Sequence, residues 1–425
     1  MKPFLKNLLD RRAFLEISAK SAAAVGIATV PGLSCLAPAS VATKTVYAGC
    51  YHDCPDRCSW KVTTKGNEII KFTGSDLNPY TNGQTCGKMS NFPMDVTFHP
   101  DRILKPLKRS GPKGSGSFEE ISWEQAIREV AQKLQQIIAE KGAEAILPFN
   151  YGGNQGLIHG NSIGGRFFAR IGASQLDKTI CGNTTVAGIT ATNGQTTGVL
   201  PEDIIHSRYI VLWGTNPIVS NQHLWPLIEQ ARVAGAKIVT VDPFVSKTAA
   251  VSDLHIQPWP GTDTALALGM MKVIIDEGLQ DQDYIDKYTQ GYDQLKAHLK
   301  KYDLQTVATM TGLDENTISS FAREYANASP SLIRTLIGME HHANGASAFR
   351  AVAMLPALTG AWRELGGGQM NMTYELFGET INWQSVDLPE SLSQQTTRMI
   401  NMIELGKALN DATMAPTIDA LFVYN

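Results

Sequence analysis

The spacing of apolar residues changes period several times along the chain, and each change predicts an element. In "WKVTTKGNEIIKFTGS", residues 60–75, apolar positions alternate with polar ones on both sides of Lys65-Gly66-Asn67, which predicts a β-hairpin with its turn at those three residues. In "SWEQAI", Ser122 stands three residues before Gln125 at the head of an amphipathic stretch, the pattern of a capping box opening a helix. Further on the pattern becomes strand, helix, strand. "RYIVLWGTNP" is a short β-rich apolar run that stops at a turn, "QHLWPLIEQARVAGA" has helical spacing with Pro226 in its first turn, and "KIVTVDP" is a second apolar run ending at Asp242. This is one βαβ unit, so the larger part of the chain is expected to be α/β with a parallel, Rossmann-like doubly wound sheet.

A parallel sheet of this kind binds ligands off the carboxyl ends of its strands, which places Gly214, Thr215, Asn216 and Asp242 on one crevice. No G-x-G-x-x-G follows either strand, which argues against an ordinary nicotinamide site. Composition adds limits. With 425 residues, 43% hydrophobic and 18% charged, the chain can bury a large core in more than one domain, and its formal net charge of −3 gives no basis for nucleic-acid binding.

The first residues change the expected compartment. "DRRAFLEISAKSAAAVGIATVPGLSCLAPASVA" sets Arg11-Arg12 and Phe14-Leu15 before a weakly apolar run of small residues, broken by Lys20, Gly26 and Pro31 and too short to span a bilayer. It resembles a twin-arginine signal peptide, expected over residues 1–42, which implies the twin-arginine export machinery as a partner and the periplasm as the destination.

The six cysteines, Cys35, Cys50, Cys54, Cys58, Cys86 and Cys181, are too sparse for a disulfide scaffold. Four of them form the pattern C-x3-C-x3-C-x27-C, and four thiolates suit either zinc or an iron–sulfur cluster. Zinc sites favour two tight knuckles. Three clustered cysteines plus one remote one suit a short loop wrapped around three corners of a cubane, so Cys50, Cys54, Cys58 and Cys86 are expected to hold a [4Fe-4S] cluster in a small β-rich domain over residues 43–105.

These four cysteines, Lys88 and the following "FHPDRILKPLKRSGPKGSGSFEEISWEQAI" resemble the entry domain of the dimethyl sulfoxide reductase family of molybdenum oxidoreductases. The resemblance runs from about residue 44 to the end of the chain. It implies molybdenum held by two molybdopterin guanine dinucleotides over residues 106–425, with Lys88 between cluster and pterin. It also implies cofactor-binding roles for "WGTN" (Trp213, Gly214, Thr215, Asn216), "VDP" (Asp242), "PGTD" (Gly261, Asp263) and the strand-end turn at Gly338. His341 and His342 are adjacent, so alternating side-chain direction predicts that only one of them points inward.

Two signals disagree about the metal's own ligand. "TICGNTTVAG" places Cys181 in a form, Cys-x5-Ala-Gly, similar to formate dehydrogenases, in which cysteine or selenocysteine binds the metal, whereas the cluster spacing looks more like enzymes that use serine. A soft thiolate suits the post, and Cys181 is the expected molybdenum ligand. The expected activity is oxygen-atom transfer from an S-oxide or N-oxide in anaerobic respiration, with formate oxidation and a non-catalytic remnant as alternatives. Expected partners are a ferredoxin-like iron–sulfur electron-transfer subunit and a membrane anchor subunit. Finally, "DALFVYN" is an apolar strand with no helix after it, so the chain is expected to lack the rest of an α/β domain and the family's C-terminal barrel-like domain.

Overall fold

The computed structural model describes residues 42–153, 162–371, 378–393 and 396–424; the expected signal peptide lies outside the described residues. Three units follow one another in space. The first is an antiparallel meander of β1 (Thr43–Gly49), β2 (Ser59–Lys65) and β3 (Glu68–Gly74), with the predicted turn at Gly66 and Asn67. Gly66 has φ of 60°, the left-handed conformation such a tight turn requires. Trp60, Val62 and Met89 bury one face of this meander, and Phe72, Phe92, Cys50 and Cys86 pack against them. A hairpin of β4 (Leu107–Arg109) and β5 (Phe118–Glu120) then leads into a helix over Trp123–Lys141. Ser122 caps that helix by accepting from Gln125 N at 3.1 Å. The Gln125 side chain turns forward to Glu129 instead of back to the cap, so only half of the predicted box forms.

Two short strands follow, β6 (Ile146–Phe149) and β7 (Gln175–Asp177), and then a five-stranded parallel sheet made of β8 (Tyr209–Trp213), β9 (Lys237–Val241), β10 (Leu254–Ile256), β11 (Ser331–Thr335) and β12 (Gly368–Met370). Across that sheet the order is β10-β9-β8-β11-β12, every pair parallel. Chain order therefore reverses between β8 and β11, and a crevice opens there. The strands are apolar throughout because both faces are covered. Tyr209, Val211 and Trp213 face helices Asp263–Asp276, Glu315–Asn327 and Gly345–Leu358, while Ile210 and Leu212 face helix Leu224–Val233. The expected doubly wound sheet is present.

The chain then returns to its first α/β strands. β13 (Met399–Asn401) pairs with β7, and β14 (Ala420–Val423) pairs with β6, both parallel. Ser174 N donates to Ile146 O at 3.0 Å and ties the two pairs together. The "DALFVYN" strand thus belongs beside β6, more than 250 residues earlier in the chain, and the five-stranded unit is inserted between the strands of these two small two-stranded sheets. Phe422 and Tyr424 pack on Phe168, whereas Leu421 and Val423 stay exposed. Among the described residues no helix is long and apolar enough to cross a membrane.

Candidate functional site

The cysteine loop is closed at its base by Cys50 N donating to Cys58 O at 2.8 Å, so three thiols ride on one tight turn, while the meander's apolar face brings Cys86 to the same cluster of side chains as Cys50. All five cysteines of the described residues are free thiols. Burial pushes the Cys50 thiol up, and Cys54 is pushed up to about 11 by burial and then by the Asp56 carboxylate. Cys58 is pushed higher still, by burial first and by Asp56 and the neighbouring thiols after it. Such thiols stay protonated at neutral pH until a cation displaces the protons. A single zinc with four sulfurs at 2.3 Å would hold them about 3.8 Å from one another. Among the described residues Cys181, Glu340 and His341 bring three donor atoms within 4.8 Å of one another, and no three of these cysteines do.

This module docks on the turn that follows β8. Lys88 Nζ donates to Val219 O at 3.3 Å, Cys54 Sγ to Ser220 O at 3.3 Å, and Gly87 N to the Gln222 side chain at 3.0 Å. The predicted Lys88 is therefore a bridge between the cysteine loop and the sheet's crevice. At the crevice itself Gly214, with φ of 62°, and Gly338 meet: Gly338 N donates to Gly214 O at 2.9 Å. A Cβ on Gly338 would lie 2.6 Å from that oxygen, so only glycine lets the ends of β8 and β11 approach this closely. Thr215 Oγ1 is buried there without a hydrogen-bond partner among the described residues, an unmet polar group of the kind a ligand satisfies.

The other predicted residues divide. Asn216 is tied down through Thr248 Oγ1, which donates to its Oδ1 at 2.6 Å, and Asp242 Oδ1 accepts from Phe244 N at 3.1 Å. Burial raises the carboxyls of Asp242 and Asp263. Trp213 differs from expectation. Its side chain is fully buried in the sheet's core, and its indole N–H donates to Asp263 Oδ1 at 2.8 Å, so it positions Asp263 and does not face the crevice. The adjacent histidines take different directions, as alternation predicts: exposed His341 has a ring nitrogen within 4.8 Å of the Cys181 thiol, and the half-buried His342 ring lies against Gly261.

Cys181 stands at the N-cap of helix Gly182–Asn193 with φ of 58°, a strained conformation for a side chain other than glycine. A helix N-terminus ordinarily lowers a thiol's pKa. Here burial and the nearby Glu340 carboxylate win, and Cys181 is pushed up to about 11. Glu340 is buried beside the Cys181 thiol, one oxygen accepting from Thr185 Oγ1 and Oε2 meeting no nitrogen or oxygen donor among the described residues. Asp53 closes the far side, accepting from Gly153 N at 3.2 Å and adding negative charge near Cys181. Cys181 therefore lies between the cysteine loop and the β8/β11 switch point. Sequence reasoning missed Glu340 and Asp53, both of which sit beside motifs it had quoted.

The fold and the site together define a doubly wound α/β protein carrying a cysteine module at its ligand crevice, with a strained thiol between the two. Residues 102–423 match the family model described as molybdopterin oxidoreductase. The chain is 38% identical over 375 residues to the probable oxidoreductase YoaE of Bacillus subtilis (strain 168), covering 88% of this chain and 54% of that protein. It is 32% identical over 356 residues to dimethyl sulfoxide reductase DmsA of Escherichia coli (strain K12), covering 75% and 43%. Among solved structures, acetylene hydratase from Pelobacter acetylenicus matches with a TM-score of 0.57 and 28% identity over 74% of this chain and 43% of that one. This chain belongs to the molybdopterin oxidoreductase family, and it spans about half the length of these relatives.

Proposed function

We propose that the protein is a periplasmic molybdenum oxidoreductase that takes electrons through a [4Fe-4S] cluster at Cys50, Cys54, Cys58 and Cys86 and reduces an S-oxide or N-oxide. The observation that carries this reading is the docking of the cysteine module, through Lys88 and Val219, on the same switch point where Gly214, Gly338 and Cys181 converge. When bound, molybdenum on two molybdopterin guanine dinucleotides would supply the atom-transfer and electron-transfer chemistry.

The residues present fit such groups. Among the described residues Thr215 Oγ1 and Glu340 Oε2 are buried polar atoms without a hydrogen-bond partner, and the four cysteines are free thiols gathered on one module. Gly214, Thr215, Asn216, Asp242, Gly261 and Asp263 would hold dinucleotide, the turn at Gly338 would hold pterin, and Cys181 would ligate the metal. Lys88 supplies a positive charge between the two centres. A soft cation bound at Cys181 would replace the proton that burial retains.

A formate-oxidising role is the second reading, favoured by the Cys181-x5-Ala-Gly form. The relatives named above carry different activities in their names, and one fold serves several substrates. In assays of the metal-loaded protein, consumption of reduced viologen with an S-oxide or N-oxide supports the first reading. Formate-driven viologen reduction supports the second, and neither activity counts against both.

Location and partners rest on sequence. With Arg11-Arg12 as the export signal, changing both to lysine should hold precursor in the cytoplasm, and undiminished periplasmic delivery would refute that assignment. A ferredoxin-like subunit and a membrane anchor would deliver the electrons, and co-purification of the periplasmic protein with an iron–sulfur subunit tests this. Recovery of the protein alone from gently solubilised membranes would count against it.

A further inference from the structure

Behind the cysteine loop lies a buried polar chain that none of the roles above uses. Asp56, between cluster cysteines and only 2% exposed, accepts at Oδ1 from Tyr80 Oη at 2.9 Å and from Asn221 Nδ2 at 2.5 Å, and at Oδ2 from His223 N at 3.3 Å, with Cys54 Sγ 3.7 Å from that same oxygen. Asn221 passes the contact on, its Oδ1 accepting from Arg334 Nη2 at 2.9 Å, and Arg334 Nη1 donates to Asn371 O. Arg334 sits on β11 and is fully buried, with Asn221 nearly so. One opposite-charge pair, joined by a single amide, therefore runs from the cysteine loop into the central sheet.

Buried charges are costly unless paired and hydrogen-bonded, so two of them at this depth need a reason. Packing alone does not supply one, because well-packed apolar residues of similar volume would seal the same junction at no greater cost. What the pair places beside Cys54 is the Asp56 carboxyl group, with the Arg334 guanidinium one side chain further away. Adding an electron to an iron–sulfur cluster makes it more negative, and cluster potentials respond to nearby charge and to hydrogen bonds.

We propose that Asp56 is a positioning residue that sets the reduction potential of the cluster, holding it low, with Arg334 acting through Asn221 as the opposing charge. The inference rests on the cluster reading above. It requires that removing either charge move the potential, in opposite directions.

The test is a potentiometric titration of the anaerobically prepared protein, followed by electron paramagnetic resonance, with iron measured on the same samples. Asp56→Asn keeps the side-chain shape and an acceptor for Tyr80 and Asn221. It should keep its iron and shift the midpoint positive by about tenfold in the reduction equilibrium, roughly 59 mV for one electron. Arg334→Met should shift it negative, and Tyr80→Phe, which removes a hydrogen bond but no charge, should move it by much less than Asp56→Asn. If Asp56→Asn loses its iron, the sign of the Arg334→Met shift decides. An iron-loaded Asp56→Asn or Arg334→Met protein with the wild-type midpoint, or one moving the wrong way, overturns the proposal and leaves the cluster reading intact. Wild-type protein carrying zinc and no iron overturns both.

Discussion

Cys181 shows how much a single residue's setting depends on its neighbours. Its place at a helix N-terminus favours the thiolate, yet burial and Glu340 hold the thiol to about pH 11. In the metal-free chain, alkylation of Cys181 should therefore be slow at pH 8 and rise about tenfold per pH unit as pH climbs toward that value. Glu340→Gln removes a negative charge, which lowers the thiol's pKa, so alkylation at pH 8 should quicken severalfold. Peptide-resolved mass spectrometry of timed iodoacetamide reactions reads both rates, and a Cys181 that reacts fast at pH 8 with no response to Glu340→Gln would contradict this setting. The thiol's presence was legible in "TICGNTTVAG". Its neighbours were not, because Glu340 lies 159 positions away and reaches Cys181 only through the packing of two helices and a strand end. For the same reason Asp56 reads in sequence as one more polar residue in a cysteine loop, and its partner Arg334 as a charge on a strand.

At the scale of elements, helix Gly182–Asn193, which Cys181 begins, lies directly against helix Gly345–Leu358, which follows the Gly338–His342 turn. They pack tightly at Gly188, where a Cβ would collide with Ala346 O and come within 2.7 Å of Phe349 Cβ. Both walls of the thiol site are set by this one contact. Gly188→Ala should force the helices apart and cost about 1–3 kcal/mol of stability, seen as a lower midpoint in chemical denaturation, with faster Cys181 alkylation as the site loosens. A variant as stable as the parent, with the same alkylation rate, would show that the contact does not set the site. Elements with strong local signals were legible: the hairpin at Gly66, the cap at Ser122 and the β8–helix–β9 unit all stand where the pattern placed them. Trp213 was misread because it ends an apolar strand inside a binding motif. The same alternation that makes β8 a strand turns its side chain into the core.

The whole molecule is organised by two long-range events, neither of which leaves a local signal. One is the return of β13 and β14 to β7 and β6, which makes the five-stranded sheet an insertion and gives "DALFVYN" its partner. The other is the seating of the cysteine module on the turn after β8. The α/β class and the crevice residues could be anticipated from strand ends alone, because parallel sheets bind at their carboxyl edges. The docking of the two units could be anticipated only through family resemblance. That docking is what makes an electron path from Cys50, Cys54, Cys58 and Cys86 toward Cys181 physically reasonable, and it depends on what the four thiols hold. Metal analysis of the anaerobically purified protein tests this most directly, with iron, zinc and molybdenum counted per chain before and after Cys86→Ser. The account predicts about four irons per chain, no stoichiometric zinc and a marked loss of iron in Cys86→Ser, with any molybdenum accompanied by pterin. One zinc per chain, with no iron and no visible absorption from a cluster, would contradict it.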